Sequence, residues 1–196
     1  MSGSLSTNYF EAVEITSITQ TRISETLSNK SHKRSVGGQR WMLQLSSKNL
    51  TQAEMSELYA FLVRQNGPFG HFTIVPPKHG STRSTNATGA PTVTTDYAAG
   101  VTSIRAQGGG GSLLSGDFIK FSNHDKVYML TADVNLDGST VDTLPIFPTL
   151  RTATTSSTTV QYNSVPFKVF LTADTQGFKV GAPKFYSYEL NVREEL

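Results

Sequence analysis

Lys184-Phe-Tyr-Ser-Tyr-Glu-Leu-Asn-Val-Arg-Glu-Glu-Leu196 closes the chain. Tyr186, Tyr188, Leu190 and Val192 alternate with Ser187, Glu189 and Asn191, the period-two pattern of a half-buried strand. A terminal strand this apolar must pair with something made earlier. Phe167-Lys-Val-Phe-Leu171 reads as a strand, and so do Phe10 to Ile18 and Trp41 to Leu45, each with the same alternation. Between the early and the late strands lie residues whose pattern is different. The economical reading is a discontinuous domain, 1–90 plus 166–196, with 91–165 inserted at a loop. Insertion works where the host's chain ends lie close together on its surface.

Residues 1–9 are polar and read as loose or as a docking arm. Residues 28–40 read as a polar, basic loop, so the first two strands make a long hairpin with a basic tip. The one convincing helix falls within 49–67, about 51–66. Thr51 and Glu54 have capping-box spacing, in which hydroxyl and carboxylate each satisfy an orphan backbone N–H. Leu50 and Met55 are placed as a hydrophobic staple. Met55, Leu58, Tyr59 and Leu62 form one apolar stripe. Burying such side chains contributes roughly 1.5–3 kcal/mol each, enough to fasten one helix across a sheet. Gly67-Pro68 is the predicted stop.

Phe72 to Val75 is a short strand closed by Pro76-Pro77, and 78–92 reads as a linker rich in Ser, Thr and Gly. The block 91–165 then carries strand-like pieces at Val93–Tyr97, Val101–Ala106, Phe118–Ser122, Val127–Val134, Thr140–Phe147 and Thr159–Val165. Small Greek-key barrels, the OB-fold among them, are built on this scale. Residues 152–159 read as exposed low complexity, and Gly108–Gly111 as a flexible hairpin tip. The predicted class is mostly β with one helix: a discontinuous β-sandwich or barrel-like domain with an inserted OB-fold-like small β-barrel.

Composition agrees. The chain has 196 residues, and Ser and Thr together number 47. Charged residues are 16% and hydrophobic ones 37%. Thr favours strands while Ser and Gly favour turns, so a helical bundle is disfavoured. Cys is absent, which excludes disulfides and thiolate metal sites. The net charge of +2 is far from that of a protein whose main task is gripping nucleic acid. The opening residues show no secretory leader and no apolar run long enough to span a bilayer, so synthesis and assembly in a cytoplasm are expected.

Chemistry-bearing motifs are weak. Asp133-x-Asn135-x-Asp137-Gly138 matches half of a calcium loop, but Leu144 stands where the bidentate acid belongs, and Asp-Gly is equally a turn signal. His32, His71, His79 and His124 have no metal spacing. His124-Asp125 reads as a surface turn, with no nucleophile motif beside it. Asp117, Asp125, Asp133, Asp137 and Asp142 share one block, but mostly at turns, where paired carboxylates across a cleft are not made. No cofactor or metal is expected. Two binding surfaces remain. Tyr97, Phe118, Phe121 and Tyr128 could form a stacking face on the barrel for a glycan or a single strand. Lys30, Lys33, Arg34 and Arg40 could touch phosphate.

Leu58-Tyr-Ala-Phe-Leu-Val-Arg-Gln-Asn-Gly67 with His71-Phe-Thr-Ile-Val-Pro-Pro77 resembles the helix and strand in the first half of phage distal tail proteins. Ser115-Gly-Asp-Phe-Ile-Lys-Phe-Ser-Asn-His-Asp-Lys-Val-Tyr128 and Ile146-Phe-Pro-Thr-Leu-Arg151 are similar to that family's inserted barrel, and Tyr186 to Leu196 to its closing strand. The resemblance is to the type found in long, non-contractile-tailed phages, with an OB-fold second domain. It implies a non-enzymatic virion component at the tail tip. It implies a ring, usually a hexamer, that joins the tail tube protein to the tail-tip hub or baseplate and leaves a channel for DNA. Near-neutral charge suits a lumen that passes DNA without holding it.

Overall fold

A computed structural model describes residues 3–181 and 185–196. Along the chain run β1 (Ser4–Leu5), β2 (Phe10–Glu25), β3 (Ser31–Ser47), α1 (Gln52–Val63) and β4 (His71–Ile74). The middle carries β5 (Thr92–Val93), β6 (Ser103–Gln107), β7 (Gly111–Leu113), β8 (Phe118–Phe121), β9 (Val127–Leu130), β10 (Val134–Leu136), β11 (Val141–Phe147) and β12 (Val160–Gln161). The end adds β13 (Phe167–Leu171), β14 (Lys179–Gly181), β15 (Phe185–Ser187) and β16 (Glu189–Glu194). The chain is thus mostly β with one helix.

Twelve of these strands form two six-stranded sheets, and β7 with β10 and β14 with β15 form two-stranded ribbons. The first sheet has the order β1-β4-β13-β16-β3-β2, parallel at β1–β4 and antiparallel elsewhere. It unites the first 74 residues with the last 30 in one ladder. The terminal strand lies between β13 and β3, so its inward side chains are covered from both sides. Leu190 and Val192 are fully buried, as are Leu43, Leu45, Phe72 and Val169. α1 lies on this core through Met55, Leu58 and Leu62, with Tyr59 half-buried.

The second sheet has the order β12-β8-β9-β11-β6-β5. Thr92 bridges to Thr159, and Val93 N–H donates to Thr158 O at 2.9 Å, bringing the two edges together. The sheet therefore nearly closes into a barrel around Ile104, Ile119, Phe121, Tyr128, Leu130 and Leu144. β7 and β10 form a separate ribbon against the same core.

Several expectations change. Leu5 is buried and β1 pairs with β4, so the start of the chain is tied down; Met1 and Ser2 lie outside the described residues. The capping box at Thr51 and Glu54 is present, but the helix stops at Val63 with Arg64 as its C-cap. Asn66 and Gly67 take positive φ and start a short 3-10 turn, so Gly67-Pro68 follows the stop instead of making it. The expected loop 28–40 is strand from Ser31 onward, and the true tip is residues 26–30. The expected strand from Lys184 to Val192 breaks at Tyr188, and Lys184 is outside the described residues. Val127–Val134 divides into β9 and β10.

The polar stretches are ordered by backbone pairing. Thr88 bridges to Gly110, and Asn86 Oδ1 accepts from Ser112 N–H at 3.0 Å, so 78–92 is a strap along the barrel and not a slack linker. Gly111, at φ +82°, sits against the carbonyl of Asn86, where a Cβ would collide. The glycine run is a close crossing of two backbones, not a free tip. Thr154 and Thr158 are buried, with Thr154 bridged to Tyr97, so 152–159 is pinned to the barrel.

Candidate functional site

Three regions could carry function: the seam between the two sheets, the projecting hairpin, and a recess at that hairpin's base.

The seam is buried and its charges are paired. Trp41 from the first sheet meets Phe118 edge-on at 5.2 Å, and Phe118 meets Phe167 at 5.3 Å. The Trp41 indole N–H donates to Val127 O at 2.8 Å. Glu194, fully buried, accepts from Trp41 N–H at 3.1 Å and Val127 N–H at 2.9 Å, and forms an ion pair with Lys126. Lys126 also donates to Gln39 Oε1 at 2.7 Å. Burial pushes the Glu194 carboxyl up and the Lys126 ammonium down, and each partner's charge pulls the other back. The arrangement locks the barrel to the split sheet.

The hairpin is the opposite. β3 is supported by β16 only from Met42 to Ser46, so beyond the sheet β2 and β3 run on as a two-stranded ribbon. Residues 19–38 are all exposed, over roughly 20 Å at ~3.3 Å per residue. Ile23, Leu27 and Val36 show large apolar surfaces to solvent, Leu27 completely. Lys30 lies at the tip, Lys33 and Arg34 on the ribbon, and Arg40 at its base. Lys33 and Arg34 are neighbours in a strand and face opposite ways. The four expected basic residues therefore form no single patch. Arg34 instead stands directly across from Arg22.

Arg40 belongs to another group. With Arg193 of β16 and Arg151, which follows the barrel strand β11, it lines a recess of about 450 Å³. Ile18, Gln20, Gly37 and Gly38 complete the wall. Arg151 and Arg193 were not evident from sequence, because they meet Arg40 only through tertiary structure. The only local signal was that Arg193 falls on the outward parity of the closing strand.

The expected stacking face does not exist as such. Phe121 and Tyr128 are fully buried in the barrel core, and Phe118 is buried in the seam. Phe121 and Tyr128 point inward because alternate residues of β8 and β9 fill the barrel, and Phe118, on the other parity, faces the seam. Only Tyr97 is half-buried, and its hydroxyl accepts from Arg105 N–H at 2.9 Å. Tyr128 bonds His124 Nε2 at 2.8 Å and accepts from Arg151 N–H at 3.0 Å; burial pushes its pKa to about 12. His124 is no simple surface turn: its ring is half-buried against Phe121 and Tyr128, and burial holds its pKa at about 4.

Three of the aspartates serve the backbone, while Asp125 pairs with Lys120 and Lys168. Asp133 accepts from Ser115 N–H at 2.7 Å, and Asp137 from Ser139 and Thr140 N–H at 2.8 and 2.6 Å. These bonds hold both carboxyls below the usual range. Asp117, buried, accepts from Leu114 N–H at 2.9 Å and Arg83 N–H at 3.2 Å. Among the described residues no cluster of three His, Asp or Glu could hold a metal, and no helix is long and apolar enough to cross a membrane.

Residues 101–165 match the family model of the distal tail protein pb9, B domain. The matched segment spans β6 to β12, nearly the whole barrel. A search of curated proteins gives no match. The match covers about a third of the chain and supports a structural role in a phage tail.

Proposed function

We propose that the chain is a ring-forming subunit at the distal end of a long, non-contractile phage tail. In this reading residues 1–90 and 166–196 form the ring-building domain, and 91–165 form an inserted OB-fold-like barrel. Six copies close head to tail, join the tail tube to the tip hub or baseplate, and leave a channel for DNA. The chain works as a non-enzymatic part of the virion.

The observation that carries this reading is the hairpin. An isolated two-stranded ribbon is marginal in water. This one extends past its own sheet and exposes Ile23, Leu27 and Val36. A neighbour that packs on it removes both defects. A ring supplies such a neighbour by a heterologous contact, one patch meeting a different patch on the next copy.

Mass in solution and negative-stain images of the isolated chain and of purified tail tips test this. Closed rings, or this subunit at the tip, are expected. A chain that stays monomeric at high concentration and is missing from purified virions overturns the reading.

A further inference from the structure

The basic recess has properties that the fold does not need. Arg40, Arg151 and Arg193 come from three separate segments and line one cavity. Among the described residues none of the three guanidinium groups has a carboxylate in ion-pair distance. The Nε of Arg193 is buried with no hydrogen-bond partner. Burying an N–H without an acceptor is unfavourable, and so is gathering like charges. The nearby Glu194 does not relieve them, because its oxygens are held by Lys126, Trp41 and Val127. Three gathered guanidinium groups without a carboxylate are unfavourable when the recess is empty and are neutralised by an incoming anion, which is the mark of a ligand position.

We propose that this recess binds oxyanions and that in the assembled particle it receives carboxylate side chains from a neighbouring protein. Guanidinium forks match the planar, two-oxygen geometry of a carboxylate and hold it by paired charge-assisted bonds. The shape favours a side chain over a DNA backbone. The cavity is concave and, at about 450 Å³, has room for more than one side chain, whereas duplex phosphates lie on a convex cylinder and meet protruding cations. Ile18 offers an apolar contact for the stem of an acidic residue. Gly37 and Gly38, both at positive φ with open space at the missing Cβ, leave their part of the wall bare of side chains. The site spans the hairpin base, the closing strand and the barrel, so an acid seated there would brace all three. The identity of the occupant as a protein rests on the tail-assembly reading; the site itself does not.

The test titrates the full chain with a fluorescent hexaglutamate peptide and, separately, with a short labelled DNA duplex. Saturable peptide binding is expected, weakened about tenfold or more by each of R40Q and R193Q. R193K should also weaken it, since the ammonium keeps the charge and loses the fork. K33Q on the hairpin should leave it unchanged. Removing unpaired like charges should not lower the melting temperature, so loss of binding is not loss of fold. No saturable peptide binding, equal binding by the variants, or tighter duplex binding through the same arginines overturns the proposal. A chain that binds the peptide but is absent from virions sinks the tail reading alone. A chain present in virions whose arginines bind no carboxylate sinks this site alone.

Discussion

The seam and the recess lie side by side, and both are built around β3 and β16. In the seam every charge has a partner inside the chain. Glu194 alone accepts two backbone N–H groups and the Lys126 ammonium. In the recess the next residue back, Arg193, shares no such bond through its buried Nε. One strand therefore turns a satisfied carboxylate to one face and an unsatisfied guanidinium to the other. Satisfaction within the chain marks what holds the subunit together. Its absence marks what the subunit leaves for something else.

The largest effect should come from breaking the satisfied side. E194A strands Lys126 in the seam and removes the acceptor of two buried N–H groups. A loss of about 3–5 kcal/mol is expected from urea unfolding. Replacing both charges with apolar residues, K126M with E194L, should recover only the part of that loss that comes from the stranded ammonium, because the Trp41 and Val127 N–H groups still lack their acceptor. A mild effect for E194A would mean that water reaches the seam and that the two sheets are not locked.

A smaller effect, about 1–2 kcal/mol after allowing for partial exposure, should follow pH through His124. Burial, aided by Lys120 and opposed by Asp125, holds the ring near pKa 4 against 6.5 when unfolded. Between those values the unfolded chain binds a proton that the folded chain refuses. Stability therefore falls as pH drops from about 6.5 to about 4 and this contribution levels off below it. H124N should flatten that part of the profile in unfolding curves taken across the window.

Smaller again, T51A should cost about 1 kcal/mol. It removes the hydroxyl that accepts from Glu54 N–H at 3.3 Å and leaves the first turn of α1 uncapped. Thermal unfolding checks it, and T51S should restore most of the loss.

That cap was legible because it is local: the residues that make it are three apart. The closing strand was legible because Tyr188, Leu190 and Val192 alternate. The same alternation ends on Glu194, a charged residue on the buried parity, which is the sequence signal of the seam. Residues 28–40 read as a loop because a ribbon exposed on both faces has no hydrophobic period. The strap at 78–92 and the stretch 152–159 have the Ser, Thr and Gly of loops, and their order comes from backbone bridges that side-chain patterns do not encode. Phe118, Phe121 and Tyr128 looked like a surface because alternation does not say which face is inside. The recess was out of reach for a different reason: Arg40, Arg151 and Arg193 are far apart in sequence and meet only after both sheets form.

The smallest effect on folding should accompany the largest on assembly. I23S with L27S changes two side chains that already face solvent, so stability should move by no more than about 0.5 kcal/mol. If the hairpin is an arm for a neighbour, the same change should abolish ring formation in negative stain and keep the subunit out of virions. The two readouts must diverge. An apolar pair on a projecting ribbon does nothing for its own chain, so selection for folding alone would not retain it. Variants that assemble as well as the native chain would show that the ribbon's exposed apolar side chains are incidental. The ring contact would then have to lie on the edges of β1 and β2 instead.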